Sequence, residues 1–202
     1  MSFFVIDTKE FRESLNEIKK MNNRMPRAIN SALIRSAQTI RTAAARKVRE
    51  IYFVKHGEVL KKIHVKKAGG GKLGMTLESR DRAIRLINFK VNPKSKPNKI
   101  PKVIKAGVKR KGGVKKVHHA FVAIVRGGHT GVFKRAPHSK HRKTSSGIWS
   151  QGPIEQLRGP AIPVMLSQDG IVEHIREVAV TTINKRLDHE INRQVFGQGA
   201  SK

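Results

Sequence analysis

The sequence predicts an α+β fold: an antiparallel β-sheet of about four to six strands, bracketed by a long N-terminal Ala/Arg-rich helix and a C-terminal helix, with long basic loops. Three observations carry this expectation. Residues 26–52 place an apolar side chain every three or four positions. Residues 171–195 do the same. Between them, short runs alternate apolar and polar residues and are parted by Gly- and Pro-rich turns. At 202 residues, the chain is expected to form a single domain over 1–202.

Taken in order, Ser2–Ile6 reads as a short strand. Asp7 and Thr8 suit the cap of a helix over Lys9–Met21, because their side-chain oxygens accept orphan backbone N–H groups. Phe11, Leu15 and Ile18 form that helix's apolar stripe, and Asn22-Asn23 breaks it. Pro26 fits the first turn of the long helix. Ile29, Leu33, Ser36, Ala37, Ile40, Ala44, Val48 and Ile51 share one face of it, and its alanines let a neighbour approach closely. Arg27, Arg35, Arg41, Arg46 and Arg49 occupy the other face. Residues 55–63 read as a short helix.

Strands follow at 64–68, 73–79 and 83–91, with a turn at Gly69–Gly71. In the third, Leu86, Asn88 and Lys90 oppose Ile87, Phe89 and Val91, a period of two. Three prolines make 92–101 an exposed loop. Residues 103–108 and 115–125 flank a turn at Lys111–Gly113 and read as a hairpin. His118 and His119 open the second of these strands, so one is expected buried and the other exposed. Gly127-Gly128 precedes a strand at 130–134. Residues 136–152 show no periodicity and read as a structureless connection. A proline-rich stretch, 153–166, leads to the last helix. That helix starts after Ser167 or Asp169, has Ile171, Ile175, Val178/Ala179, Ile183, Leu187, Ile191 and Val195 as its apolar stripe, and ends at Gly197.

Charge dominates the composition. The chain has 43 Lys+Arg against 14 Asp+Glu, a net charge of +29 and a pI near 11.3, with only 38% apolar residues. Between Asp81 and Glu155, 73 residues carry 19 Lys+Arg and no acid. Self-repulsion of this size opposes compaction of a free chain, so a polyanion or acidic protein surface is the expected neighbour. The hairpin tip with Lys109, Arg110, Lys111, Lys115 and Lys116 forms a cationic finger. Lys94, Lys96, Lys99 and Lys102 line the proline loop. These nine are the candidate phosphate contacts. Aromatic residues are only 5%, which disfavours a base-stacking platform and favours backbone contact without sequence readout.

Catalytic chemistry has little to stand on. No cysteine is present, so thiol catalysis, disulfides and cysteine zinc sites are excluded. Glu13/Glu17 and Glu173/Glu177 have the spacing of solvated helix faces. His138 and His141 lie in a basic loop without an acid, so no metal site is expected. Gly69-x-Gly71-x-x-Gly74 leads into a strand, not a helix, so a dinucleotide turn fails on context. No P-loop or Gly-x-Ser-x-Gly occurs. No catalytic residue, metal or cofactor is expected. No apolar run reaches the roughly 18–20 residues of a membrane span. Met1–Asp7 lacks a basic stretch and a cleavage site, so a secretion signal is not expected there. The apolar residues of Gly131–Phe133 and of Pro153–Met165 sit in short segments that a monomer has trouble burying. Gly131, Val132, Phe133, Ile154, Leu157, Pro160, Pro163 and Met165 are therefore candidate interface positions.

Three stretches also resemble a known family. The Arg/Ala-rich helix, Arg27–Ala37 and Arg41–Glu50, runs into a Tyr and a short Lys-rich helix. The strand and turn of Phe121–Ala123 and Gly128–Arg135 follow. The third stretch is Pro153–Met165, just before a C-terminal helix. Together, over roughly residues 24–190, they resemble the phage minor tail protein Z family, the tail completion proteins of long-tailed phages. The resemblance implies a structural virion protein at the head-proximal end of the tail, made in the host cytoplasm. It implies a homo-oligomeric ring, a hexamer matching the tail's six-fold symmetry, beside the tail terminator or tube protein, the head–tail connector proteins and the DNA end. Six copies of +29 carry +174 in total, which calls for anionic neighbours. The alternative that the charge alone allows is a free, sequence-independent DNA- or RNA-binding protein. The basic loops at about 92–118 and 136–152 are longer than the resemblance requires, so it implies no role for them.

Overall fold

A computed structural model describes residues 2–7, 25–67, 74–95, 103–125, 127–136, 142–143, 145–147, 149–150 and 152–195. The expected Lys9–Met21 helix, the Gly69–Gly71 turn, the His138/His141 pair and Gly197 lie outside the described residues. The fold is α+β. Among the described residues the strands are divided among four small antiparallel sheets of two or three strands. The chain forms two compact units: Met1–Val48, His56–Arg82 and Ala161–Lys202 make one, and Arg49–Lys55 with Ala83–Pro160 make the other.

In the first unit, β1 (Ser2–Asp7), β2 (Ile63–Lys67) and β3 (Met75–Asp81) form a sheet in the order β1-β3-β2. Met75, Leu77 and Ser79 point inward while Thr76, Glu78 and Arg80 alternate away. Helix α1 (Met25–Ile51) buries Ile29, Leu33, Ser36, Ala37, Ile40, Ala44 and Val48 of the expected stripe, with Ala32 and Ala45 beside them, and leaves Ile51 half-buried. A short helix, α2 (His56–Leu60), follows. Helix α3 (Ile162–Leu166) packs on β1 and β3, and α4 (Asp169–Val195) buries Ile171, Ile175, Ala179 and Ile183.

Two ionic arrangements belong to this unit. Glu190 of α4 is 1% exposed and lies between Arg35 of α1, at 3.3 Å, and Arg193, at 2.7 Å. A buried carboxylate persists only when its charge is matched this way. On the outward side of the sheet, Lys66 Nζ reaches Glu78 Oε2 at 2.7 Å. The hydrogen bond from Lys66 holds the Glu78 carboxyl below its ordinary 4.5; burial opposes the shift, and the charges of Lys66, Arg80 and His64 add to it.

In the second unit, β4 (Lys90–Asn92), β5 (Ile104–Gly107) and β6 (Lys115–Val117) form one sheet, in that order. Strands β7 (Ala120–Ile124), β8 (Thr130–Arg135) and β11 (Ile154–Gln156) form another, ordered β11-β8-β7. Strands β9 (Arg142–Lys143) and β10 (Trp149–Ser150) pair as a small hairpin. That hairpin corrects the expectation of a structureless 136–152.

Two further expectations are corrected here. Residues 83–91 are not one strand. Arg85 bridges to Arg158, Leu86–Asn88 turn as a 3-10 helix, and only Lys90–Asn92 joins a sheet. Adjacent Leu86 and Ile87 are both buried, which a strand with one buried face cannot provide and a tight helical turn can. Gly159 is required beside this turn, because a Cβ there would come within 2.6 Å of the Phe89 ring. Residues 115–125 are likewise two strands in two sheets. The break falls at His118-His119, where His119 has φ +58°, and both histidines are exposed.

The last turn of α1, Arg49–Ile51, belongs to the second unit and is closed by Arg110. The Arg110 backbone N–H donates to the Ile51 carbonyl at 2.8 Å, and its Nε donates to the Arg49 carbonyl at 2.8 Å. Terminal helix carbonyls have no partner within the helix, and a cation there also opposes the negative end of the macrodipole. Phe53 N–H donates to the Val108 carbonyl at 2.9 Å, next to an antiparallel bridge between Tyr52 and Lys109.

Two outcomes are expected. Arg110→Met removes the Nε bond and the cation from the helix end and lowers stability to urea by about 1–2 kcal/mol. Lys111→Met, one position along, changes it by less than about 0.5 kcal/mol. For Glu78, the lowered folded-state pKa means its contribution is present above about 4.5 and is lost as pH falls through the folded value. Wild type should therefore lose stability below pH 4.5 more steeply than Glu78→Gln, and the two should converge in acid-titrated thermal melts.

Candidate nucleic-acid and assembly interfaces

Net positive charge gathers in the second unit. Its segments hold 21 Lys+Arg and two acids, Glu50 and Glu155, a net +19 of the chain's +29. Of the nine candidate phosphate contacts, Lys94, Lys109, Arg110, Lys111, Lys115 and Lys116 are all exposed. Lys96, Lys99 and Lys102 lie outside the described residues. Lys109, Arg110 and Lys111 lie in the β5–β6 connection, Lys115 and Lys116 open β6, and Lys94 follows β4. Arg110 differs from the others, because its guanidinium is committed to the Arg49 carbonyl and stands 4.8 Å from the centre of the Phe53 ring. Lys109 Nζ stands 5.7 Å from the centre of the buried Tyr52 ring.

The β4–β5–β6 register brings in two lysines outside the expected set. Lys105 of β5 sits directly opposite Lys116 of β6 and, on its other side, opposite Asn92 of β4. Residues opposite one another in an antiparallel pair project to the same face. Lys90 lies two residues from Asn92, opposite Gly107, and so shares that face. Lys90, Lys105 and Lys116 are all exposed, while Val91, Ile104 and Ala106 are buried on the opposite side. The alternation Ile104-Lys105-Ala106 was the sequence signal for this face. Phe53 rests against Gly107: a Cβ there would lie 3.2 Å from the ring. Lys90 Nζ stands 5.1 Å from the centre of that ring.

The candidate interface positions divide by burial. Gly131 is buried beneath Phe133 and Gln156, leaving no room for a Cβ. Val132, Phe133, Pro163 and Met165 are buried in their own units. Leu157 and Pro160 are half-buried, and Leu157 is tied by backbone hydrogen bonds to Val132 and Leu86. Ile154, on edge strand β11, is 41% exposed. Sequence reasoning missed Ile124, at the end of edge strand β7 and 57% exposed.

The described residues contain no group of three or more His, Asp or Glu that could hold a metal ion, and no helix among them is long and apolar enough to cross a membrane. A cleft of about 480 Å³ in the first unit is lined by Thr39, Thr181, Thr182, Lys185, Arg186 and His189. Thr39 and Thr181 donate their hydroxyls to their own helix, to the carbonyls of Arg35 and Glu177.

The family model described as prophage minor tail protein Z (GPZ) matches residues 8–196 of the 202. No curated protein and no solved structure matches the chain. The match takes in both compact units, including all three stretches that carried the resemblance: the Arg/Ala-rich helix, the β7–β8 strand and turn, and the Pro153–Met165 segment. The chain belongs to the prophage minor tail protein Z family and is a structural protein of the phage tail, placed among the other proteins of the virion.

Proposed function

We propose that this chain completes the tail at its head-proximal end, as a subunit of a homo-oligomeric ring through which the tail joins the filled capsid. In this reading the neighbours are the tail terminator or tube protein on one side and the connector proteins on the other. The cations of the second unit face the DNA end. The observation that carries it is the concentration of +19 in one unit of a tail protein. Such a surface is costly to keep near another copy of itself unless a polyanion lies alongside. Exposed Ile154 on an open sheet edge supports a contact between subunits, since unpaired edges accept another chain.

Imaging of purified virions carrying a label on this protein tests the placement. Label at the neck is the expected result; label at the distal tip, or its absence from complete particles, overturns the reading. For the ring, Ile154→Asp should abolish head–tail joining in complementation while circular dichroism stays that of wild type. Normal joining by this variant would move the subunit contact away from β11.

A further inference from the structure

We propose that the outer face of the β4–β5–β6 sheet is a contact surface for the phosphate backbone of duplex nucleic acid, with Lys90, Lys105 and Lys116 as the contacting residues. This rests on the reading that the second unit faces DNA, and it names the surface that does so.

The first argument is the register. Lys105 and Lys116 are directly opposed across an antiparallel pair, an arrangement in which like charges destabilise the sheet. Among the described residues neither has a carboxylate partner. Paired residues stand about 5 Å apart at their Cα atoms, so both side chains leave the sheet from neighbouring points on one face. An anion seated between them removes the repulsion. The sheet cannot relieve it by slipping: a one-residue shift would turn Val91, Ile104 and Ala106 out to water.

The second argument concerns Phe53. Its ring lies on the same face over Gly107, with Lys90 Nζ at 5.1 Å and the Arg110 guanidinium at 4.8 Å. A cation held over a ring loses side-chain freedom but keeps its full charge, unlike one paired with a carboxylate. Lys90 is thus positioned and still able to meet a phosphate. The ring itself is half-buried and occupied, so it is not free to stack on a base. The face therefore contacts the backbone and does not read sequence.

The third argument selects nucleic acid over an acidic protein. Lysine is depleted in protein–protein interfaces, which gather around an apolar or aromatic centre. The exposed side chains of this face in the three strands are Lys90, Asn92, Lys105 and Lys116, and the aromatic ring on it, Phe53, is half-buried and already faced by Lys90 and Arg110. Phosphate contact needs only charge within reach, and it gains from counterion release.

The test is a salt titration of the full chain against a short random-sequence duplex. Wild type is compared with Lys90→Gln/Lys105→Gln/Lys116→Gln and with an equal charge loss in the first unit, Arg46→Gln/Lys185→Gln/Arg186→Gln. The slope of log affinity against log salt should flatten by about 2–3 units in the first variant, at about 0.9 per phosphate, and stay near wild type in the second. Thermal melting of the first variant should match or exceed wild type, because a like-charge pair is gone. If that variant does not fold, Lys105→Gln and Lys116→Gln separately should each flatten the slope by about 0.9. An unchanged slope, or the same flattening in both triple variants, overturns the proposal. So does absence of duplex binding in wild type with loss of tail binding in the variant, which would mark an acidic protein as the occupant. None of these results moves the label in the virion images, so the placement at the neck stands or falls separately.

Discussion

The shortage of acid in the second unit is the constraint on which much of the structure depends. With 21 Lys+Arg and two carboxylates, ion pairing cannot hold its cations in place. The unit uses carbonyl oxygens and aromatic faces instead. Arg110 takes the Arg49 carbonyl, Arg158 takes the Ala83 carbonyl at 3.2 Å, Lys90 stands over Phe53 and Lys109 over Tyr52. The first unit has carboxylates to hand and uses them: Lys62 pairs with Asp81, Lys66 with Glu78, and Arg35 and Arg193 with Glu190. The first unit uses a carbonyl as well, Arg41 donating to that of Leu60 at 2.6 Å, and there these ion pairs share the task.

This division also explains what was legible beforehand. The two long helices were readable because a 3.6-residue stripe is a local property: Ile29 to Val48 and Ile171 to Ile183 are buried where their spacing puts them. The paired strands β2 and β3 were readable for the same reason, with alternation the signal. Residues 83–91 were not, because the turn there is held by backbone hydrogen bonds of Ile84 and Leu86 to Gly159 and Leu157, some seventy residues away, where Gly159 leaves space for Phe89. The break at His118-His119 was hidden too. Nothing in Lys115–Val125 is a strong turn former, and only the pairing of β6 and β7 with different strands forces His119 to positive φ.

The candidate site was legible as charge and not as geometry. Counting placed cations at the β5–β6 connection correctly, yet it could not separate Arg110, which closes a helix end, from Lys111, which does not. The helix end and the arginine are sixty residues apart, and their meeting is a tertiary fact. Lys90 and Lys105 stood outside the expected set because counting favours runs, whereas a sheet face is built from every second residue on separate strands. The interface positions show the converse. Val132, Phe133 and Met165 lie in short apolar segments and are nevertheless buried in their own units, while Ile154 is exposed at an edge.

The mode of ordering bears directly on what the second unit offers to a partner. A lysine paired with a carboxylate presents a weak dipole, and an incoming phosphate must displace the acid before it gains the contact. A lysine over a ring, or an arginine on a carbonyl, keeps its whole positive charge and has already given up much of its rotamer freedom. The loss that binding would impose is then smaller, which is the meaning of preorganisation. The cost falls on the unbound protein instead, as opposed lysines and a net +19 in one unit. Such a unit gains stability when anion is present and is under self-repulsion when it is not. That is a workable condition for a protein that acts within an assembled virion, where its neighbours are fixed, and a poor one for a protein that must remain free in solution.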